Sequence, residues 1–139
     1  MKIGLIGIPK KKLNGEGPAY LIYSKSPLFN YQLKYCEKNF DKVYILAKQG
    51  LITPQEHVAS NETHPLMLTI RQFKDWQKKI AKQLTSTSPI GAEYILLGSA
   101  RYLRIFRHIP DQFVFSQFLS KTIIGKQEQF FMNYFAENK

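Results

Sequence analysis

Three short apolar runs, Ile3–Ile8, Val43–Ala47 and Tyr94–Leu97, constrain this 139-residue chain more than any other feature. Each has the length of a strand and is followed by a glycine or lysine loop. A strand with one wet face alternates apolar and polar residues. A run without alternation is buried on both faces, as in a parallel sheet. A fourth, weaker run is Phe113–Phe115.

Helical patterns lie between the runs. Ser26-Pro27 reads as an N-cap followed by proline at the first helical position. Phe29, Leu33, Cys36 and Phe40 then recur at spacings of four, three and four. Thr69-Ile70-Arg71-Gln72 is a capping-box pattern. It opens a segment with Ile70, Phe73, Ile80 and Leu84 on one face and Arg71, Lys74, Lys78 and Lys82 on the other. A third helix is expected from near Ser99 to before Pro110. A fourth is expected after Gly125, with Phe130, Phe131, Tyr134 and Phe135 as its apolar residues. The segment Gly50–Pro65 has no clear periodicity and reads as a long irregular connection, often functional in compact domains. This order predicts one α/β domain over residues 1–139, a three-layer sandwich with a mostly parallel central sheet.

Composition excludes several classes. Apolar residues make up 44% of the chain, too many for a disordered protein. No apolar run approaches the roughly 18–20 residues of a membrane span. The opening segment is short, is broken by glycines and precedes its lysines, unlike a secretory signal; a cytoplasmic setting and no membrane partner are expected. Cys36 is the only cysteine, which excludes an internal disulfide and the Cys-rich zinc sites. Its neighbours Leu33, Tyr35 and Phe40 mark it as a small buried hydrophobe. Lysine and arginine total 20 against 10 acidic residues, a net charge of +10. Such an excess favours phosphates and other anions as partners.

Open parallel sheets bind ligands beyond the carboxyl ends of their strands. The three main runs end in Pro9–Lys12, in Lys48-Gln49-Gly50 and in Gly98-Ser99-Ala100-Arg101. Adjacent parallel strands would bring these loops to one edge, with Lys10, Lys11, Lys12, Lys48, Ser99 and Arg101 converging. Ser26 and Ser99 sit at expected helix starts, where free N–H groups and the dipole favour an anion. Gly50 can adopt a positive φ and leave room beside Lys48. The opening stretch lacks both the phosphate-loop order and the G-x-G-x-x-G pattern, so no cofactor is assigned.

The catalytic candidates are His57 and His64, which can carry protons near neutral pH. His108 is read as an end-of-helix contact. H-E-x-x-H spacing is absent and no metal site is assigned. Arg71, Lys74, Lys78 and Lys82, with Arg104 and Arg107, form basic faces suited to a phosphate backbone. Tyr20, Tyr23, Tyr31 and Trp76 are candidates for stacking on bases.

The chain also resembles a family of small bacterial and phage proteins known only as a domain of unknown function. The matching residues are Lys10–Lys12, Tyr23 with Ser26-Pro27-Leu28-Phe29, and "ILAKQGLITP" from Ile45 to Pro54. Trp76, Leu97-Gly98 with Tyr102, and Gly125 with Gln129 follow. Tyr102 joins the ligand candidates through this resemblance. Ile8-Pro9 replaces a family serine, Gln49 stands where histidine is common, and no Pro-Tyr-Asp occurs near Asn61–Pro65. These departures weigh toward binding over chemistry. The resemblance implies a Rossmann-like or uracil-DNA-glycosylase-like sandwich. The expected function is binding of a phosphate-bearing ligand, nucleotide or nucleic acid, at the carboxyl edge. The alternatives are an enzyme acting on a nucleoside-like substrate there, and a phage or host interaction module with a basic face.

Overall fold

The computed structural model of the chain describes residues 1–98, 100–110, 112–117 and 124–137. Its elements are β1 (Lys2–Gly7), β2 (Glu16–Pro18), α1 (Ala19–Ile22), α2 (Pro27–Asn39), β3 (Lys42–Ala47), β4 (Gly50–Ile52) and β5 (His57–Ala59). A short 3₁₀ turn at Pro65–Met67, α3 (Ile70–Thr87), β6 (Glu93–Leu97), a 3₁₀ helix (Ala100–His108), β7 (Val114–Gln117) and α4 (Ile124–Glu137) follow.

The three apolar runs lie side by side. The five-stranded sheet has the order β4-β3-β1-β6-β7. β3, β1, β6 and β7 are parallel, and β4 is antiparallel to β3 at one edge. Alternate residues of the central strands face opposite ways. Ile6, Ile45, Ile95 and Leu97 pack with Phe29 and Cys36 of α2 and Phe131 of α4. Ile3, Leu5, Leu46 and Leu96 pack with α3 and the 3₁₀ helix. Each fully buried aliphatic side chain contributes roughly 1.5–3 kcal/mol, which is why unbroken apolar runs take these central places. β7 corresponds to the weak fourth run, and its Val114 and Phe115 are exposed.

The helix signals are local and hold. The Ser26 hydroxyl accepts from the Phe29 N–H at 3.2 Å, with Pro27 at the first turn of α2. At its end the Asp41 N–H donates to the Lys2 carbonyl, which turns the chain into β3 beside β1. Gly4 lets α2 approach the sheet: a β-carbon there would lie 2.7 Å from Cys36 Sγ and 3.0 Å from Phe40. Burial pushes the Cys36 thiol up to about 12, with Glu37 acting the same way, as expected of a packed hydrophobe. Gly4→Ala should cost about 1–3 kcal/mol through overpacking. Combined with Cys36→Ala, the loss should be smaller than the sum of the single losses, since the closest clash is gone. Urea unfolding of the four proteins checks this; strict additivity would refute the close approach.

Thr69 and Gln72 form the capping box of α3. From that helix three polar side chains reach a β-hairpin. Trp76 Nε1 donates to the Ala47 carbonyl at 2.8 Å, Lys79 Nζ to the Gln49 carbonyl at 2.6 Å, and Gln83 Oε1 accepts from the Leu51 N–H at 3.0 Å. Positions 76, 79 and 83 share one helix face. Positions 47, 49 and 51 alternate along the hairpin. The expectation for Gly50–Pro65 is corrected here. That segment holds β4, β5 and the start of the 3₁₀ turn: β4 folds straight back on β3 as a hairpin and β5 pairs with the distant β2, and strands of three residues are too short to show a period. Ile70, expected on the buried face, is 79% exposed. It precedes Trp76 by six residues, roughly 9 Å of helix, and so opens α3 beyond the strand end that Trp76 caps.

The expected third helix is of the 3₁₀ type. With three residues per turn, positions i and i+3 eclipse. Arg101, Arg104 and Arg107 therefore form one exposed row, while Tyr102 and Ile105 face the core.

Candidate functional site

The register sets which loops meet. Gly7 pairs with Leu46 across β1 and β3, so Pro9 and Lys48 leave the sheet at one level. Ile6 pairs with Leu97 across β1 and β6, which sets Gly7 beside Gly98. Lys10, Lys11 and Lys48 are exposed and Lys12 is half-buried. None of these four lysines is in an ion pair among the described residues. Arg101 lies just beyond the end of β6. Ser99 lies outside the described residues.

The chain passes from β1 outward to β3 and then returns to β6 on β1's other side. The winding thus reverses between β1 and β6, the place where doubly wound sheets open a crevice. Tyr102 covers it. A β-carbon on Gly7 would lie 3.0 Å from the Tyr102 ring, and one on Gly98 would lie 3.6 Å from it. Tyr102 is 2% exposed, and its buried hydroxyl has no hydrogen-bond partner. Burial holds the phenol far above its ordinary range.

His64 braces the same edge. The Leu66 N–H donates to Nδ1 at 3.1 Å, so the proton sits on Nε2, which is 2.8 Å from the Ile8 carbonyl. Both nitrogens are engaged, which weighs for a bracing role over proton transfer. Burial holds His64 below the ordinary histidine range, and Lys12 and Lys10 push the same way against the Ile8 hydrogen bond. The unfolded histidine titrates near 6.5, so folding favours the neutral ring. This contribution is complete above about pH 6.5 and is lost as pH falls through the lower folded value. His64→Asn should therefore show a shallower loss of stability between pH 7 and 5 than the parent. Parallel pH profiles of the two proteins would refute the assignment.

Other candidates are placed differently. Ser26 spends its hydroxyl on Phe29, and Pro27 has no N–H. The Leu28 N–H is then the one amide of that first turn left to meet a ligand. Gly50 has the expected positive φ of 127°, but the space beside it is filled: a β-carbon would lie 2.5 Å from Gln83 Oε1. Trp76 and Tyr23, read as base-stacking candidates, are 4% and 1% exposed. They are core aromatics; Tyr31 stacks on Phe131 and Phe135, and Tyr20 is exposed. His57, on β5, lies 3.5 Å from Glu16 Oε1. Arg71, Lys74, Lys78 and Lys82 are exposed along α3, and Arg104 and Arg107 along the 3₁₀ helix.

A recess of about 170 Å³ beside this edge is lined by Leu66, Leu68, Phe73, Arg101 and Arg104. A wider groove of about 690 Å³, lined by Asp41, Lys42, Thr53 and Pro54 among others, lies at the amino end of β3 and holds none of the basic candidates. Lys79 and Gln83, which hold the hairpin that carries Lys48, carry no mark in the sequence beyond their successive spacing of three and four from Trp76 along α3.

A family model described as a family of unknown function (DUF6884) matches residues 3–133. No curated protein and no solved structure matches the chain.

Proposed function

We propose that this chain, which belongs to the DUF6884 family of unknown function, binds a phosphate-bearing ligand, nucleotide or nucleic acid, at the carboxyl edge of its sheet. The observation that carries this reading is the β1–β3 register, which sets Lys48 level with the loop of Lys10, Lys11 and Lys12. These lysines have no acidic partners among the described residues. Like charges held together in this way favour an anion between them.

The strand order supports a Rossmann-like or uracil-DNA-glycosylase-like reading of the fold. The order of the parallel strands reverses at β1 and β6, and such sheets receive ligands at that point. The exposed row Arg71, Lys74, Lys78 and Lys82 on α3 would extend the contact along a polyanion. Thermal unfolding of the parent and Lys48→Ala, with and without phosphate at constant ionic strength, tests the site. Phosphate should raise the melting temperature of the parent more than that of the variant. Equal gains would reduce Lys48 to a solvated lysine.

A further inference from the structure

One acidic side chain is built into this basic edge. Residues 60–64 run along residues 8–15. The Ser60 N–H donates to the Gly15 carbonyl at 2.8 Å, and the Gly15 N–H to Ser60 Oγ at 3.1 Å. His64 reaches Ile8, and Lys12 Nζ reaches the Glu62 carbonyl at 3.4 Å. Glu62 thus lies under the loop that carries the lysines. Its Oε1 accepts a long bond from the Ala59 N–H at 3.5 Å. Its Oε2 is buried and accepts nothing. A buried carboxylate oxygen left unmatched is costly, and the nearby ammonium bonds the main chain instead.

We propose that Glu62 Oε2 accepts a hydrogen bond from a hydroxyl of the phosphate-bearing ligand, so that the ligand is a phosphorylated sugar or polyol, the ribose phosphate of a nucleotide included. This rests on the anion site proposed above and names the group next to its phosphate. Lys12 Nζ is held at the Glu62 main-chain carbonyl by one long bond. Binding requires Lys12 to leave that bond for the phosphate and Glu62 Oε2 to open to the ligand hydroxyl. Tyr23 lies on the same side; burial, and after it the charge of Glu62, push its phenol up to about 12, so it stays a neutral donor. A ligand ammonium would meet Lys10 and Lys12, whose field already disfavours a charged His64. A hydroxyl meets no such repulsion, which selects it over an amine.

Three probes separate the parts: inorganic phosphate, methyl ribofuranoside 5-phosphate, and its 2,3-dideoxy analogue, which lacks only two hydroxyls. They are titrated by calorimetry into the full chain, Glu62→Gln and Glu62→Ala, each checked for folding by circular dichroism. The parent should prefer the hydroxylated ester by about tenfold or more, as expected of a charge-assisted bond. The preference should shrink in Glu62→Gln and approach one in Glu62→Ala, with phosphate affinity equal or higher in both. An equal affinity of the parent for the two esters overturns the role of Glu62 alone, as does a preference retained in both variants. Failure of all three probes to bind the parent overturns the anion site itself, and this inference with it.

Discussion

Trp76→Ala should lower the unfolding free energy by about 3–5 kcal/mol, the range for removing a buried aromatic side chain. Two separate losses make it large. The indole fills space between Phe73, whose ring centroid is 5.5 Å away, and Tyr102, at 5.8 Å. Its N–H also satisfies the Ala47 carbonyl where β3 turns into the hairpin. Trp76→Phe separates the two. It keeps most of the apolar volume and forfeits the hydrogen bond, so its cost should fall to about 1–3 kcal/mol. Urea unfolding of the three proteins measures both. A Trp76→Ala loss below about 1 kcal/mol would mean that the hairpin is held elsewhere, since a buried aromatic with no packing role is the one case that costs so little.

Replacing Lys10, Lys11 and Lys48 together by alanine should weaken phosphate-ester binding by about two to three orders of magnitude. A charge-assisted contact contributes about 1.5–3 kcal/mol, and contacts sharing one anion fall short of additivity. The same protein without ligand should be as stable as the parent or slightly more so. The four lysines of this edge have no acidic partner among the described residues, and removing like charges relieves repulsion. Stability and affinity therefore move in opposite directions, which simple damage to the fold would not produce. With phosphate at a hundred times its dissociation constant the parent gains about 2.7 kcal/mol; the triple variant should lose nearly all of that gain. A gain retained in full would place the anion elsewhere.

Local physics made the frame legible. Unbroken apolar runs identify β1, β3 and β6 because burial on both faces leaves no room for polar residues. Ser26-Pro27 and the Thr69–Gln72 box identify helix starts because capping is settled within four residues. The lysine loops follow from where those strands end. What stayed hidden lies in strands too short to show a period or depends on distant partners. β4 pairs with β3, and β5 with β2, through main-chain bonds that short segments do not advertise. The reach of Trp76, Lys79 and Gln83 to alternate hairpin residues needs the packed geometry of two elements. Glu62 resembles any loop glutamate until residues 60–64 are laid along residues 8–15. The arginine spacing of three carried a usable signal: it is the period of the 3₁₀ helix that those residues occupy.

The most direct measurement of the central claim is an amide NMR titration of the full chain with inorganic phosphate at constant ionic strength. If the claim holds, saturable shifts concentrate at Gly7, Ile8 and Lys10–Leu13, at Lys48–Gly50 and at Gly98, where three neighbouring strands end. Shifts confined to the basic face of α3 from Arg71 to Lys82, with the strand ends unmoved, would contradict it.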